Sequence, residues 1–138
     1  MKPVVQLERT GCGIAAVAAV AGVSYRQAQR TAHELGIYST DRRLWSETTY
    51  VRRLLHEYRL RPASAEQPFR SWSDLLDLAL LAIKWHCEQG RLCWHWVVFV
   101  RDRKGERVLD SKRSLVHHVR RDFWRMKPKW YIAVAKEQ

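Results

Sequence analysis

Cysteine is scarce in this chain of 138 residues: Cys12, Cys87 and Cys93 make three. An odd count closes at most one disulfide and leaves a free thiol, which argues against a secreted disulfide scaffold and points to a reducing, cytoplasmic setting. Glycine (6) and proline (4) are few. No Gly/Ser linker, low-complexity stretch or internal repeat marks a boundary, so the length predicts a single domain over residues 1–138. Long apolar runs are missing as well. Ile14–Val23 holds ten residues, too few to span a bilayer. Lys2 ahead of it and its Ala-rich end resemble a signal peptide. Gln6, Glu8 and Arg9 intervene, however, and the run is only weakly hydrophobic, so a folded helix is the expectation.

Acidic residues are also in short supply, 14 against 25 Lys+Arg, for a net charge of +11. That balance excludes an acidic solvating protein and raises the question of an anionic partner. The excess is local. Residues 101–138 hold 12 Lys+Arg against 5 Asp+Glu, while residues 1–50 hold 6 against 4. What the chain has in quantity is core material: 46% hydrophobic residues and seven tryptophans, enough to exclude disorder.

The pattern divides into a helical half and a strand half. Gly11-Cys12-Gly13 leads into the Ala/Val run, a good helix former that stops at Gly22. Ser24 opens a second helix through about Leu35, closed by Gly36. Ser46 opens a third, with Tyr50, Leu54, Leu55 and Tyr58 on one side. A short edge strand is expected at Arg59–Ala63, limited by Pro62, and a fourth helix from Ser71 or Ser73 through Leu78. Strands follow at Leu80–Trp85, Leu92–Val100 and Arg107–Asp110, then a short helix around Val119–Met126 and a last strand at Trp130–Val134. Leu92–Val100 is apolar on both faces, as a doubly covered central strand is. Helices first and an antiparallel sheet afterwards make the class α+β.

Cys12 falls at a helix N-terminus, where free N–H groups and the dipole favour a thiolate. Gly11 and Gly13 beside it carry no Cβ to block an approaching substrate backbone. His95 lies inside an apolar strand run, where an imidazole held on a rigid element reads either as a base or as a core residue satisfied by a carbonyl. Asp110 follows 15 residues later at the end of the next strand. A symmetric hairpin with an even loop puts the two on one face. A tip centred between Asp102 and Arg103 sets them opposite each other, and a tip at Lys104-Gly105 shifts Asp110 toward Phe99. Gln6 precedes Cys12 by six residues, close enough for its NH₂ and the Cys12 N–H to hold an oxyanion together. Gln, then Cys on a helix, then His and Asp on successive strands is a papain-type chain order.

Gln6-Leu-Glu-Arg-Thr-Gly-Cys12-Gly-Ile-Ala-Ala resembles the N-terminal motif of the bacteriocin-processing, double-glycine leader peptidases, which are papain-like cysteine peptidases. His95-Trp-Val-Val and Val108-Leu-Asp110 resemble their His and Asp motifs, and the likeness runs over roughly residues 4–135. The resemblance implies Cys12 as nucleophile, His95 as general base, Asp110 as the residue that orients the imidazole and Gln6 as oxyanion donor. Gly11, Gly13 and Trp94 are the expected substrate contacts, and the substrate is a peptide or protein, acidic if the basic region recruits it. Two positions depart from the family pattern. Gly11 stands where relatives usually carry Asp, and Ser111 where they usually carry Pro. The family domain is often fused to a membrane transporter, whereas this chain reads as a stand-alone domain with no spanning segment.

Two other readings compete. The C-terminal Arg and Lys residues, with Trp124 and Trp130 for stacking, supply the raw material of a nucleic-acid or acidic-partner binding module, without a recognised binding motif. A catalytically inactive relative is the other alternative. His86-Cys87 with Cys93-x-His95 contains metal-ligating types, but their spacing matches no standard zinc knuckle, so neither metal nor cofactor is expected. His117-His118 reads as a solvated pair in a basic loop.

Overall fold

The Ala/Val run folds as helix α1, Cys12–Ala21, and is buried from Gly13 to Val20. A helix apolar on every side is one the core encloses. Gly22 ends it at φ 75, a left-handed conformation that a Cβ disfavours. The computed structural model describes residues 1–136; the last two residues of the expected domain lie outside the described residues. Ser24 caps α2 (Tyr25–Glu34), its hydroxyl accepting from the Gln27 N–H at 3.1 Å. Ala28 and Ala32 form the fully buried stripe of α2. In α3 (Thr49–Glu57) the buried residues are Tyr50, Val51, Leu54 and Leu55, the spacing of a helix packed on one side.

Three expectations are corrected here. Ser46 does not cap α3; it ends a 3₁₀ turn, Arg42–Ser46, and Thr48 takes the cap position while its hydroxyl donates to Glu66 at 2.8 Å. The helix expected from Ser71 or Ser73 shrinks to a 3₁₀ turn, Trp72–Asp74. Leu76 is 67% exposed, and strand pairing claims the chain from Leu78 onward, so no apolar helical face remains to be buried. The helix around Val119–Met126 keeps only its second half, α4 (Phe123–Met126).

The strands are β1 (Leu60–Pro62), β2 (Gln67–Pro68), β3 (Leu78–Glu88), β4 (Arg91–Asp102), β5 (Gly105–Leu109), β6 (Val119–Arg120) and β7 (Trp130–Lys136). They form an antiparallel sheet in the order β1-β7-β3-β4-β5-β6, with β2 pairing to β7. β4 is covered on both faces, as its unbroken apolar run requires. Trp96, Val98 and Val100 join the helical core with Leu80 and Ile132. Val97 and Phe99 join a second cluster with Leu81, Ile83, Val108 and Met126, against which Trp72 and Phe123 pack. Gln89 (φ 52) and Gly90 (φ 77) make the two-residue turn between β3 and β4. The ladder slips between Ile83 and His86 in β3, where Lys84 sits at φ 52. Such a bulge re-aims the side chains beyond it.

Candidate active site

α1 starts at Cys12, so the N–H groups of its first turn have no intrahelical acceptor and lie beside the half-buried thiol. His95 comes from the middle of β4 and Asp110 from the residue after β5. The hairpin register answers the question the sequence left open. Asp102 pairs with Gly105, so the tip is Arg103-Lys104, and the Val98–Leu109 pairing carries on one step to set Asp110 beside Val97. That is a diagonal neighbour of His95 on the same strand face, within reach of two long side chains. The His95 Nε2 lies 2.7 Å from Asp110 Oδ1. An ionised carboxylate only accepts, so Nε2 donates and Nδ1 is left for the Cys12 thiol, which is the other side chain interacting with the ring.

Asp110 is wholly buried and fully partnered. Oδ1 also accepts from the Lys112 N–H at 3.1 Å, and Oδ2 accepts from Arg120 Nη1 at 3.0 Å. Burial alone would raise its pKa, but the bonds from His95, Lys112 and Arg120 hold it well below the usual carboxylate range. Burial pulls the His95 imidazolium the other way, and the Asp110 bond with the neighbouring Cys12 more than offsets it, raising the ring to about 9. A carboxylate and an imidazolium are therefore stable together beside Cys12 at neutral pH.

A cavity of about 190 Å³ opens at this point, lined by Cys12, Trp45, Tyr50, Trp94, His95 and Trp96 among others. Next to it runs a groove of about 620 Å³ lined by Trp85, Leu92, Trp94, Lys129 and Trp130. Trp94 is the wall common to both. Its ring stacks on Trp85 at 5.2 Å, and its buried indole N–H has no hydrogen-bond partner.

The crystal structure of the peptidase domain of Streptococcus ComA, a bifunctional ABC transporter involved in a quorum-sensing pathway, superposes on 99% of this chain and 98% of its own length, with a TM-score of 0.61 and 13% identity. The fold is papain-like. No protein-family model matches the sequence. No curated protein matches it either.

On this papain-like frame, Gly11 and Gly13 serve a purpose other than the expected substrate approach. Both are buried. A Cβ on Gly11 would fall 2.1 Å from the Tyr25 hydroxyl, and one on Gly13 would fall 2.2 Å from the Tyr50 hydroxyl. The glycines make room for two tyrosines that clamp the residues on either side of Cys12. Tyr25 in turn donates to Glu8 Oε1 at 2.5 Å, fastening the loop before α1 to α2. Gly11→Asp, the residue the family usually carries, therefore collides with Tyr25 in this chain. Gly13→Ala is expected to cost about 1–3 kcal/mol, read from the urea midpoint, as overpacking of a tight core does. Tyr50→Leu in the same chain is expected to recover part of that loss.

Gln6 does not line the cavity. Its amide donates to the Glu8 carbonyl at 3.0 Å and the Arg9 carbonyl at 2.8 Å, and its own carbonyl accepts from Ser111 Oγ at 2.8 Å. Its backbone N–H donates to the Ser111 carbonyl at 3.0 Å. The second departure from the family pattern thus has a use here, because Ser111 holds the Gln6 side chain with a hydroxyl that proline lacks. Ser111→Pro is expected to release Gln6 and to loosen the turn of residues 6–11.

The contacts of Tyr25, Tyr50, Arg120 and Ser111 escaped the sequence reading. Each acts through a partner distant along the chain, and only the helical spacing of Tyr50 signalled burial. The basic region is also partly spent on internal pairs. Arg101 binds Glu106, Arg107 binds Asp102, and Arg120 binds both Asp110 and Asp122. His118, read as solvated, interacts with the Asp110 carbonyl through Nδ1 at 2.8 Å. Among the described residues, no helix is long and apolar enough to cross a membrane.

Proposed function

We propose that this chain is a cysteine peptidase in which Cys12 is the nucleophile, His95 the acid and base, and Asp110 the group that orients and charges the imidazole. The observation that carries the reading is the meeting of a thiol on a helix N-terminus with a His–carboxylate pair at the wall of one cavity. The Cys12 thiol passes its proton to His95 as Sγ attacks the carbonyl carbon of a peptide bond, and the oxyanion is held by the Cys12 N–H at the positive end of α1. The C–N bond breaks as the His95 imidazolium protonates the leaving amine. Water then attacks the thioester while His95 takes its proton, releasing a carboxylate and restoring the Cys12–imidazolium pair. The tryptophan-lined groove accepts apolar side chains of the peptide.

In this reading Gln6 is the second oxyanion donor, which requires one of its amide hydrogens to leave the Glu8 or Arg9 carbonyl when substrate arrives. Gln6→Ala is expected to lower kcat on the order of a hundredfold with KM little changed. A variant that lost stability and kept its kcat would reduce Gln6 to a brace for the loop.

Alkylation separates peptidase from inert thiol. Cys87 is exposed and Cys12 only half-exposed, so accessibility alone labels Cys87 first. An activated Cys12 is expected to react with iodoacetamide at neutral pH ahead of both Cys87 and Cys93, with His95→Ala abolishing that preference. Labelling in order of exposure would defeat the proposal.

A further inference from the structure

The hairpin that supplies His95 carries a second cluster of reactive side chains. Past the bulge in β3, His86 pairs directly across from Cys93, and Glu88 lies two residues further along the same strand. A ring nitrogen of His86, a carboxylate oxygen of Glu88 and the Cys93 sulfur all lie within 4.8 Å of one another. Cys87, between His86 and Glu88, alternates to the other face of the strand. The same three residues line the cavity that Cys12 and His95 share.

The geometry of His86 fixes its chemistry. Nδ1 is 2.7 Å from the Lys84 carbonyl, which can only accept, so Nδ1 carries the hydrogen. In the neutral ring Nε2 is then a bare lone pair, and it faces Glu88 Oε2 at 3.3 Å. Two acceptors turned toward each other need a cation between them. A proton on Nε2 meets that need but makes no use of the sulfur that completes the triangle. A metal ion uses all three. An imidazole whose other nitrogen donates to a backbone carbonyl is already oriented as metal-binding histidines are. One nitrogen, one carboxylate oxygen and one thiol suit zinc and its borderline-soft neighbours. Calcium and magnesium, which prefer oxygen donors, are disfavoured.

We propose that His86, Glu88 and Cys93 bind a zinc-class divalent cation on the wall of the Cys12 cavity. The Cys93 thiol leaves the Arg91 carbonyl, to which it donates at 3.6 Å, and gives its proton to solvent as the sulfur–metal bond forms, and Glu88 releases its 4.0 Å contact with Arg9. Three protein ligands leave a fourth tetrahedral position, which water fills. Strand pairing brings this set together, which is why the linear spacing around Cys87 and Cys93 fitted no zinc motif. The site does not depend on the peptidase reading, since its ligands are separate from Cys12, His95 and Asp110.

Cobalt(II) tests it, because a cobalt–thiolate bond produces a charge-transfer absorption in the near ultraviolet. The reduced, full-length Cys12→Ala variant is expected to take up one equivalent of cobalt(II) at micromolar concentrations with that band, and to lose the band when zinc displaces the cobalt. Cys87→Ser is expected to retain it. Cys93→Ser is expected to abolish it. Losing even an outer partner of a metal ligand costs about 10–100-fold in affinity, so His86→Ala and Glu88→Gln, at sites that are not fully buried, are expected to weaken binding at least that much. They keep the test decisive if Cys93→Ser fails to fold. A band that vanishes with Cys12→Ala and survives Cys93→Ser would place the metal on the Cys12–His95 pair and overturn the proposal. Absence of stoichiometric uptake by the Cys12→Ala chain would also overturn it.

Discussion

Replacing Cys12 by alanine is expected to abolish peptide hydrolysis and leave the fold standing. The sulfur sits at the first position of α1, half-buried at the wall of the cavity, while the residues that carry the helix into the core are Ile14 to Val20. Removing one exposed-side atom therefore opens no enclosed void, and the unfolding free energy is expected to change by less than about 1 kcal/mol. The chemistry has no such reserve. Without Sγ no thioester forms, and His95 would have to activate water directly against an unactivated amide. Residual rates in enzymes stripped of a nucleophile fall to about 10³–10⁴ over the uncatalysed reaction, below detection in a peptide assay of ordinary length. Cys12→Ser is expected to be nearly as inactive, because a hydroxyl does not share a proton with imidazole as a thiol does. The assay is cleavage of peptides with apolar residues ahead of the scissile bond, followed by mass spectrometry, beside urea unfolding of the same samples. Full activity in Cys12→Ala would end the reading of Cys12 as the nucleophile, whatever the fold.

How much of this was legible in the sequence depends on how local each cause is. α1 and α2 were readable because their stop and cap signals, Gly22 and Ser24, act within one turn of the elements they bound. β4 was readable because an apolar run without alternation has few other uses. The helix expected after Ser71 was misjudged because Leu75, Leu76 and Leu78 look alike in sequence. Only pairing with β4 and β7 decides that the chain is extended from Leu78. The His95–Asp110 contact was half legible. Parity put both on one face, but the offset hung on a turn whose centre could not be fixed without the ladder. The purpose of the glycines was not legible at all. The absence of a Cβ beside Cys12 reads as room for a substrate until the Tyr25 and Tyr50 hydroxyls are seen to fill it. The metal-ligating trio was hidden for the same reason, because a bulge of β3 sets its register.

Asp110 is the residue whose loss is expected to reach furthest. Its carboxylate is fully buried and bound to His95, Arg120 and the Lys112 N–H. Asp110→Ala leaves the imidazole and Nη1 of Arg120 without their acceptor, while Arg120 keeps Asp122, and breaking a buried pair this way costs about 3–5 kcal/mol. That is a large share of the stability of a chain of this size. Asp110→Asn keeps the volume and separates charge from shape. In the parent, His95 titrates at about 9. Because that is above the imidazole reference of about 6.5, the stabilisation from the charged ring is complete below about pH 6.5 and is lost as pH rises through about 9. Asp110, held low, contributes stability that is present above its ordinary carboxylate value and is lost as pH falls toward its folded one. Stability in the parent is thus expected to hold across mildly acidic pH and to decline toward pH 9. The same ionisation sets the alkaline limb of kcat/KM near 9, since the imidazolium must protonate the leaving amine. In Asp110→Asn the carboxylate is gone and burial works against the charged ring. The alkaline limb is expected to move down by more than a unit, with kcat lowered on the order of a hundredfold or more because the imidazole loses its orienting partner. NMR titration of the His95 ring in both proteins reads the shift apart from activity. A limb that stayed near 9 in Asp110→Asn would mean that Cys12 alone holds the imidazolium, and Asp110 would then be a structural anchor for Arg120.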